Sequence, residues 1–373
     1  MHYFISAGEP SGDLHASALI SQLAEVDPQA RFTFLGGDLM AEAAGHPPVI
    51  HYRKMAFMGF SEVLRNLRNI ARNFSTARKA IDAARPDALI LVDYPSFNLK
   101  LAKYASERNI PVFYFIAPKV WAWKAWRVKQ LRRYVRRVLS ILPFEVDYFS
   151  GKSVEVTYVG NPSVQEVDEK LAAAGSLSDF LKLHSLPADK PLLALVPGSR
   201  RGEIKNNLPI MDAVARRHPG LQAVIAAAPG IDADFYDRFS QLPRVDADTF
   251  RLMHFAQAAL VTSGTATLEC ALAGTPEVVC YRANGSRLSY NIMKRLIKVP
   301  FVSLPNLIAG HEIIPEMLVH LCTVDSVDRQ LQNILPGQPG REAQLEGFKL
   351  MRSKLNESTA ARKAAQTIIN HLK

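Results

Sequence analysis

Short apolar runs separated by amphipathic helical stretches recur along almost the whole chain, and this alternation restricts its possible folds more than any other feature. In the first half the runs are Tyr3–Ala7, Phe32–Leu35, Ala88–Val92, Val112–Ile116, Val138–Leu142 and Val154–Val159. The second half repeats the pattern with Leu192–Val196, Leu221–Ala227, Ala258–Val261 and Val278–Tyr281. Runs of this kind, each ending in Gly, Pro, Asp or a polar turn, are the mark of parallel strands covered by helices, so the fold class is α/β. A chain of 373 residues has room for two ordinary domains. The polar helical segment from about Gln165 to Lys190, closing with LPADKP, reads as their connection. Two tandem Rossmann-like, doubly wound units are expected, 1–170 and 171–344, with a cleft between them at the carboxyl ends of the strands. Neither half carries a GxGxxG turn.

Five segments that follow strands carry chemistry. Gly8-Glu9-Pro10-Ser11-Gly12-Asp13 opens a helix whose Ala16, Leu19, Ile20 and Leu23 form one apolar face. Ser11 or Asp13 is placed to cap that helix, and Glu9 to project a carboxylate beside its N-terminus. Asp93 follows five apolar residues and precedes a proline-bearing loop. It is either a loop cap or ion-pair partner, or a partly desolvated carboxylate suited to base catalysis.

Pro197-Gly198-Ser199-Arg200-Arg201-Gly202-Glu203 lacks P-loop spacing, yet it sets small residues and arginine before a helix, as a phosphate site would. A surface turn explains that segment equally well on its own. Thr262-Ser263-Gly264-Thr265-Ala266-Thr267-Leu268-Glu269 repeats the design. A diphosphate resting on Ser263, Gly264 and Thr265 would put Glu269 within reach of ribose hydroxyls. Asn306 is a turn residue or a ligand for sugar or pyrophosphate, and spacing does not choose. Pro315 rules out a zinc-binding HExxH reading of His311-Glu312, and no other metal-ligand cluster is present. Three scattered cysteines give neither a disulfide framework nor a zinc site, so a reducing cytosol is expected.

A formal charge of +10 calls for an acidic partner. Trp121, Trp123 and Trp126 sit beside seven Lys or Arg residues at positions 124 to 137. Val63, Leu67, Ile70 and Phe74 keep helical spacing among arginines. Either stretch has an ordinary reading as a core helix with a basic outer face. Together they favour an anionic membrane surface over nucleic acid, for which no recognition motif accompanies them. No apolar run approaches the roughly 18 residues of a spanning helix, and the opening MHYFISAGEPSGD lacks the features of an export signal.

Taken in order, SAGEPSGD, MGFSEVL, LVDYPSFN, APKVWAWKAWR, LPFE, YVGNP, PGSRRGEI, SGTATLECALAGTP and SLPNLIAG are similar to the motif series of the lipid-A-disaccharide synthases, from residue 6 to residue 310. Val92 and Tyr94 depart from the family's usual neighbours of the aspartate, and the match weakens after about residue 320. The resemblance implies a glycosyltransferase B fold whose C-terminal helix, about 345–373, crosses back onto the first domain. It further implies an inverting, metal-independent transferase without a cofactor. UDP-2,3-diacylglucosamine would donate its sugar to the 6-hydroxyl of 2,3-diacylglucosamine 1-phosphate, giving a β-1,6-linked disaccharide and UDP.

By position, Asp93 and Glu9 become the catalytic carboxylates, with Ser11, Asn98, Met58 and Gly59 on the acceptor side. Ser199, Arg200, Ser263, Gly264, Thr265, Glu269 and Asn306 fall in the donor site. Val63, Leu67, Ile70, Phe74 and the three tryptophans are expected to face the membrane. A cytoplasmic protein held peripherally on the cytoplasmic face of the inner membrane follows, and a homodimer is compatible with it. The nearest alternative is another UDP-sugar enzyme of the same fold, such as a UDP-N-acetylglucosamine 2-epimerase.

Overall fold

The structure, a computed structural model, describes residues 1–55, 67–121, 125–282, 300–355 and 359–373. The chain divides into two compact units, Met1–Pro162 together with Glu357–Lys373, and Ser163–Asn356.

Unit 1 is built on seven parallel strands: β1 (His2–Ala7), β2 (Arg31–Gly36), β3 (Ile50–His51), β4 (Ala88–Val92), β5 (Val112–Phe115), β6 (Arg137–Ser140) and β7 (Val156–Tyr158), in the order β3-β2-β1-β4-β5-β6-β7. Successive side chains leave a strand on opposite faces, so strands covered on both sides must be apolar throughout. All five residues of β4 are buried. Phe4, Leu89, Leu91 and Tyr114 enter the core on one face, while Tyr3, Ile5, Ile90, Val92 and Phe113 enter the core on the other. The terminal helix, Ala360–Leu372, seals the second face with Ala364, Ala365, Ile368 and Ile369.

Unit 2 has six parallel strands, β8 (Leu192–Val196), β9 (Gln222–Ala227), β10 (Arg244–Asp246), β11 (Ala258–Val261), β12 (Glu277–Tyr281) and β13 (Glu316–Leu318), ordered β10-β9-β8-β11-β12-β13. Ten of the strands coincide with apolar runs in the sequence. The other three, β3, β10 and β13, hold two or three residues and lie at sheet edges, where one-sided cover demands no apolar run.

Both sheets reverse their strand order at the same place, between the first strand and the fourth. Loops leaving those two strands run to opposite sides, which opens a crevice at their carboxyl ends.

Candidate functional site

The sequence segments singled out above fall on the strands that flank these reversals. In unit 1, GEPSGD follows β1 and Asp93 follows β4, its immediate neighbour. In unit 2 the PGSR loop follows β8 and the TSGT turn follows β11, again its neighbour.

At the unit 1 site, Asp93 and Tyr94 adopt left-handed backbone angles, φ 43° and 48°. Two successive non-glycine residues there cost on the order of 1 kcal/mol or more each, so the surroundings must impose the conformation. They do so through the Asp93 carbonyl, which accepts from Asn98 Nδ2 at 2.7 Å and from the Tyr114 hydroxyl at 2.7 Å. Asn98 also receives the Ser6 hydroxyl at 2.7 Å, tying β1 to β4. The Tyr94 ring lies on Gly8, where a Cβ would fall 2.3 Å from the ring, and its hydroxyl donates to the Met55 carbonyl at 2.6 Å. Gly8 is therefore demanded by the aromatic ring above it.

Thus supported, the half-buried carboxyl of Asp93 is pushed up to about 6, first by burial and then by the charge of Glu9, with Lys119 opposing. Glu9 sits at the N-cap of the Pro10–Val26 helix and makes no side-chain cap bond.

Several expectations for unit 1 are corrected. Asp13 does not cap its own helix; its buried carboxylate accepts from the backbone of Gly37 at 2.6 Å, Leu39 at 3.1 Å and Met40 at 3.3 Å, and so caps the Asp38–Ala44 helix. Ser11 is an exposed residue of the first helical turn. Asn98, expected to meet the acceptor, is fully buried and acts on Asp93 through its backbone.

Trp121 is buried and stacks edge-on against Phe144, so it packs inside instead of facing a membrane. Phe74 packs against the core and meets Phe97 edge-on, and Ile70 is half-buried. Trp126 alone among the described tryptophans is exposed, at 59%. Met58, Gly59, Val63 and Trp123 lie outside the described residues, as does the side chain of Leu67.

A residue that sequence reasoning passed over stands close by. Glu145 is wholly buried, accepts from Ser140 Oγ at 2.5 Å and Trp121 Nε1 at 2.8 Å, and is pushed up to about 7 by burial. The charges of Asp93 and Lys119 reach it as well. Its signal was the acid of the LPFE motif, set in an otherwise apolar stretch.

In unit 2 the two loops meet around a cavity of about 340 Å³ lined by Gly198, Ser199, Arg200, Ser263, Gly264 and Thr265 among others. The loops differ in what they leave free. Glu203 folds back over the first, accepting from the backbone of Ser199 at 3.0 Å and Arg200 at 3.3 Å and pairing with the Arg200 guanidinium at 3.2 Å. Gly198, at φ +118°, makes room for it, since a Cβ there would fall 2.6 Å from Glu203. Those two amides are thus already satisfied, contrary to the expectation that the loop exposes its donors; the Ser199 hydroxyl and the exposed arginine remain. Among the described residues no side chain caps the Thr265–Leu272 helix, so there the second turn presents the unsatisfied N–H groups.

Half-buried Glu269 lines an adjoining cavity of about 430 Å³ with Lys170, Thr249, Phe250 and Arg251, and pairs with Lys170 at 3.1 Å. Pro229 and Thr249 line both cavities, which makes them one elongated site.

Asn306 is not part of it. Fully buried, it donates to Ile314 O at 2.9 Å and Glu316 Oε1 at 3.0 Å and accepts from Ile313 and Ile314 N–H at 2.7 and 2.9 Å. Its hydrogen-bonding capacity is spent on the fold. Asn207, unremarked in the sequence, mirrors Asn98. From full burial it ties the ends of three strands, bonding Pro197 O at 3.3 Å, Thr262 Oγ1 at 2.9 Å and Arg282 N–H at 2.7 Å.

No group of His, Cys, Asp or Glu among the described residues has a metal-holding arrangement, and no helix there is long and apolar enough to cross a membrane.

A UDP-GlcNAc 2-epimerase from Neisseria meningitidis, solved with UDP-GlcNAc, resembles the chain with a TM-score of 0.64 at 13% identity, over 100% of this chain and 99% of its own. Two all-parallel sheets with helices, each reversing its strand order once, give the chain the two-Rossmann glycosyltransferase B fold. A family model described as Lipid-A-disaccharide synthetase matches residues 3–369. Lipid-A-disaccharide synthases of Myxococcus xanthus and Acidobacterium capsulatum are 38% and 36% identical to the chain, covering 99% of it in both cases and 97% and 95% of their own lengths. The chain belongs to the lipid-A-disaccharide synthetase family.

Proposed function

We propose that the protein transfers 2,3-diacylglucosamine from its UDP derivative to the 6-hydroxyl of 2,3-diacylglucosamine 1-phosphate, with inversion, releasing UDP. The observation that carries this reading within the family is the raised Asp93 carboxyl, a base tuned near neutrality at a strand end. Asp93 removes the proton of the attacking hydroxyl as its oxygen bonds to C1 of the donor and the C1–UDP bond breaks. Glu9, whose charge helps to raise that pKa, is an electrostatic neighbour of the base.

In unit 2, charge growing on the leaving diphosphate is met by the free N–H groups of the Ser263-Gly264-Thr265 turn, the Ser199 hydroxyl and the Arg200 guanidinium. Glu269 accepts from the ribose, and Phe250 and its neighbours border the base. These residues supply the stabilisation without a metal or cofactor. The protein acts at the cytoplasmic face of the inner membrane, where acylated substrates reside, and the exposed Trp126 with its basic neighbours supports contact with anionic lipid. A 2-epimerase shares the fold, but family membership over nearly the whole chain favours the transferase.

The test is UDP release from the acylated donor with and without the lipid acceptor. Acceptor-dependent release whose kcat/KM falls about tenfold per pH unit below pH 6 supports the reading; release or epimerisation indifferent to acceptor refutes it.

A further inference from the structure

Two cations at the strand ends around Asp93 have no carboxylate partner among the described residues. Lys119, in the loop after β5, is exposed and makes no ion pair there. Its charge lowers the pKa of both Asp93 and Glu145, which places the ammonium within electrostatic range of the two acids. Arg127 is half-buried. It gives one N–H to Ser96 Oγ at 3.1 Å and lies 5.6 Å from the centroid of the Trp126 ring, both neutral partners.

Burial without an opposing carboxylate holds the Arg127 pKa below its usual value. Ser96 lies three residues beyond Asp93, in the first turn of the Pro95–Ser106 helix. Arg127 also acts on Tyr114, whose hydroxyl holds the Asp93 carbonyl at 2.7 Å. A partly desolvated guanidinium bonded, among the described residues, only to a hydroxyl keeps donors in reserve, and its planar fork matches a tetrahedral oxyanion.

We propose that Arg127, Lys119 and the Ser96 hydroxyl form a subsite for a phosphate monoester carried by the sugar whose hydroxyl Asp93 deprotonates. The subsite rests on the transferase reading above and assigns residues to one end of its acceptor. Arg127 supplies the fork, Lys119 the point charge and Ser96 a hydroxyl that turns to either role. With the phosphate held on one side of the sugar ring, the 6-hydroxyl on the other side is turned to the base. Orientation of this kind converts binding into rate. A sugar without the phosphate leaves Arg127 uncompensated and is a poor acceptor.

The same cations would also meet a phosphate of a membrane lipid, and the experiment separates the sources. UDP release is measured in neutral detergent micelles with 2,3-diacylglucosamine 1-phosphate and with 2,3-diacylglucosamine, for wild type, Lys119→Gln and Arg127→Gln. Wild type is expected to prefer the phosphorylated acceptor by about a hundredfold in kcat/KM, and each variant to cut that preference by about tenfold through the acceptor KM, with the donor KM unmoved.

Variants that keep the wild-type preference overturn the proposal. So does a pair that keeps it while no longer sedimenting with phosphatidylglycerol vesicles, since the cations would then serve the membrane. Should Arg127→Gln melt early, Lys119→Gln, at an exposed position, carries the comparison. A wild type that releases no UDP with either acceptor defeats the transferase reading itself, an outcome distinct from failure of the variants alone.

Discussion

Replacing Asp93 by Asn should stabilise the protein while removing its activity. Burial at the end of β4 and the charge of Glu9 lift this carboxyl from 3.8 to about 6. The folded chain therefore holds the proton more tightly than the unfolded one. The stability this group contributes is complete below pH 3.8 and is lost as pH rises through about 6. At 1.36 kcal/mol per pH unit the whole interval amounts to about 3 kcal/mol at neutral pH. Asn preserves the shape, cannot ionise and tolerates the left-handed φ of 43°.

The variant should thus gain about 3 kcal/mol over wild type at pH 7.5 and only about 1 kcal/mol at pH 4.5, where most of the wild-type carboxyl is already protonated in the fold. Urea denaturation at the two pH values, with slopes compared, measures this. UDP release should fall by at least about a hundredfold. A variant no more stable than wild type at pH 7.5, or one whose gain does not shrink at pH 4.5, would refute the claim that burial strains this carboxylate.

Glu145→Ala strands the buried Trp121 Nε1, while Ser140 Oγ keeps the Leu142 carbonyl, and should cost about 1 to 3 kcal/mol. Glu145→Gln, which mimics the protonated acid, should change stability little near pH 4.5 and stabilise increasingly as pH rises to about 7, levelling off above it; tryptophan fluorescence during unfolding distinguishes the two. Glu269→Gln should raise the donor KM about tenfold and leave kcat within about twofold, as measured in steady-state kinetics. Asn306→Ala should lower stability by about 2 to 3 kcal/mol in chemical denaturation, because Glu316 and the Ile313 and Ile314 amides lose a buried partner. A change in donor KM with unchanged stability would return Asn306 to the nucleotide site. Asp13→Ala should cost about 2 kcal/mol in the same assay by uncapping the Asp38–Ala44 helix.

Strands buried on both faces announce themselves, so both sheets and the four strand-end motifs were legible, and strand order alone then pairs GEPSGD with Asp93 and PGSR with TSGT. What sequence could not supply was the direction of each polar side chain. Asn98 and Asn306 look like ligands because an amide can bond on both sides, yet burial turns that same capacity inward. Trp121 sits in a basic, aromatic segment that reads as interfacial, but a single bond to Glu145 takes its indole into the core while Trp126 stays outside. Glu203 is a helix N3 residue whose preference for the preceding amides was there to be read, and it closes the loop that looked most receptive to phosphate. Edge strands β3, β10 and β13 escaped because two or three residues carry no period.

Asn98 and Asn207 have a consequence for anyone rebuilding this scaffold. Each fastens its reactive loops from beneath, so a graft of either loop pair onto a foreign sheet would arrive without its anchor unless the amide travelled with it. The loops themselves are then freer to vary than their chemistry implies, and the fastening amide is the position at which a designer has least latitude.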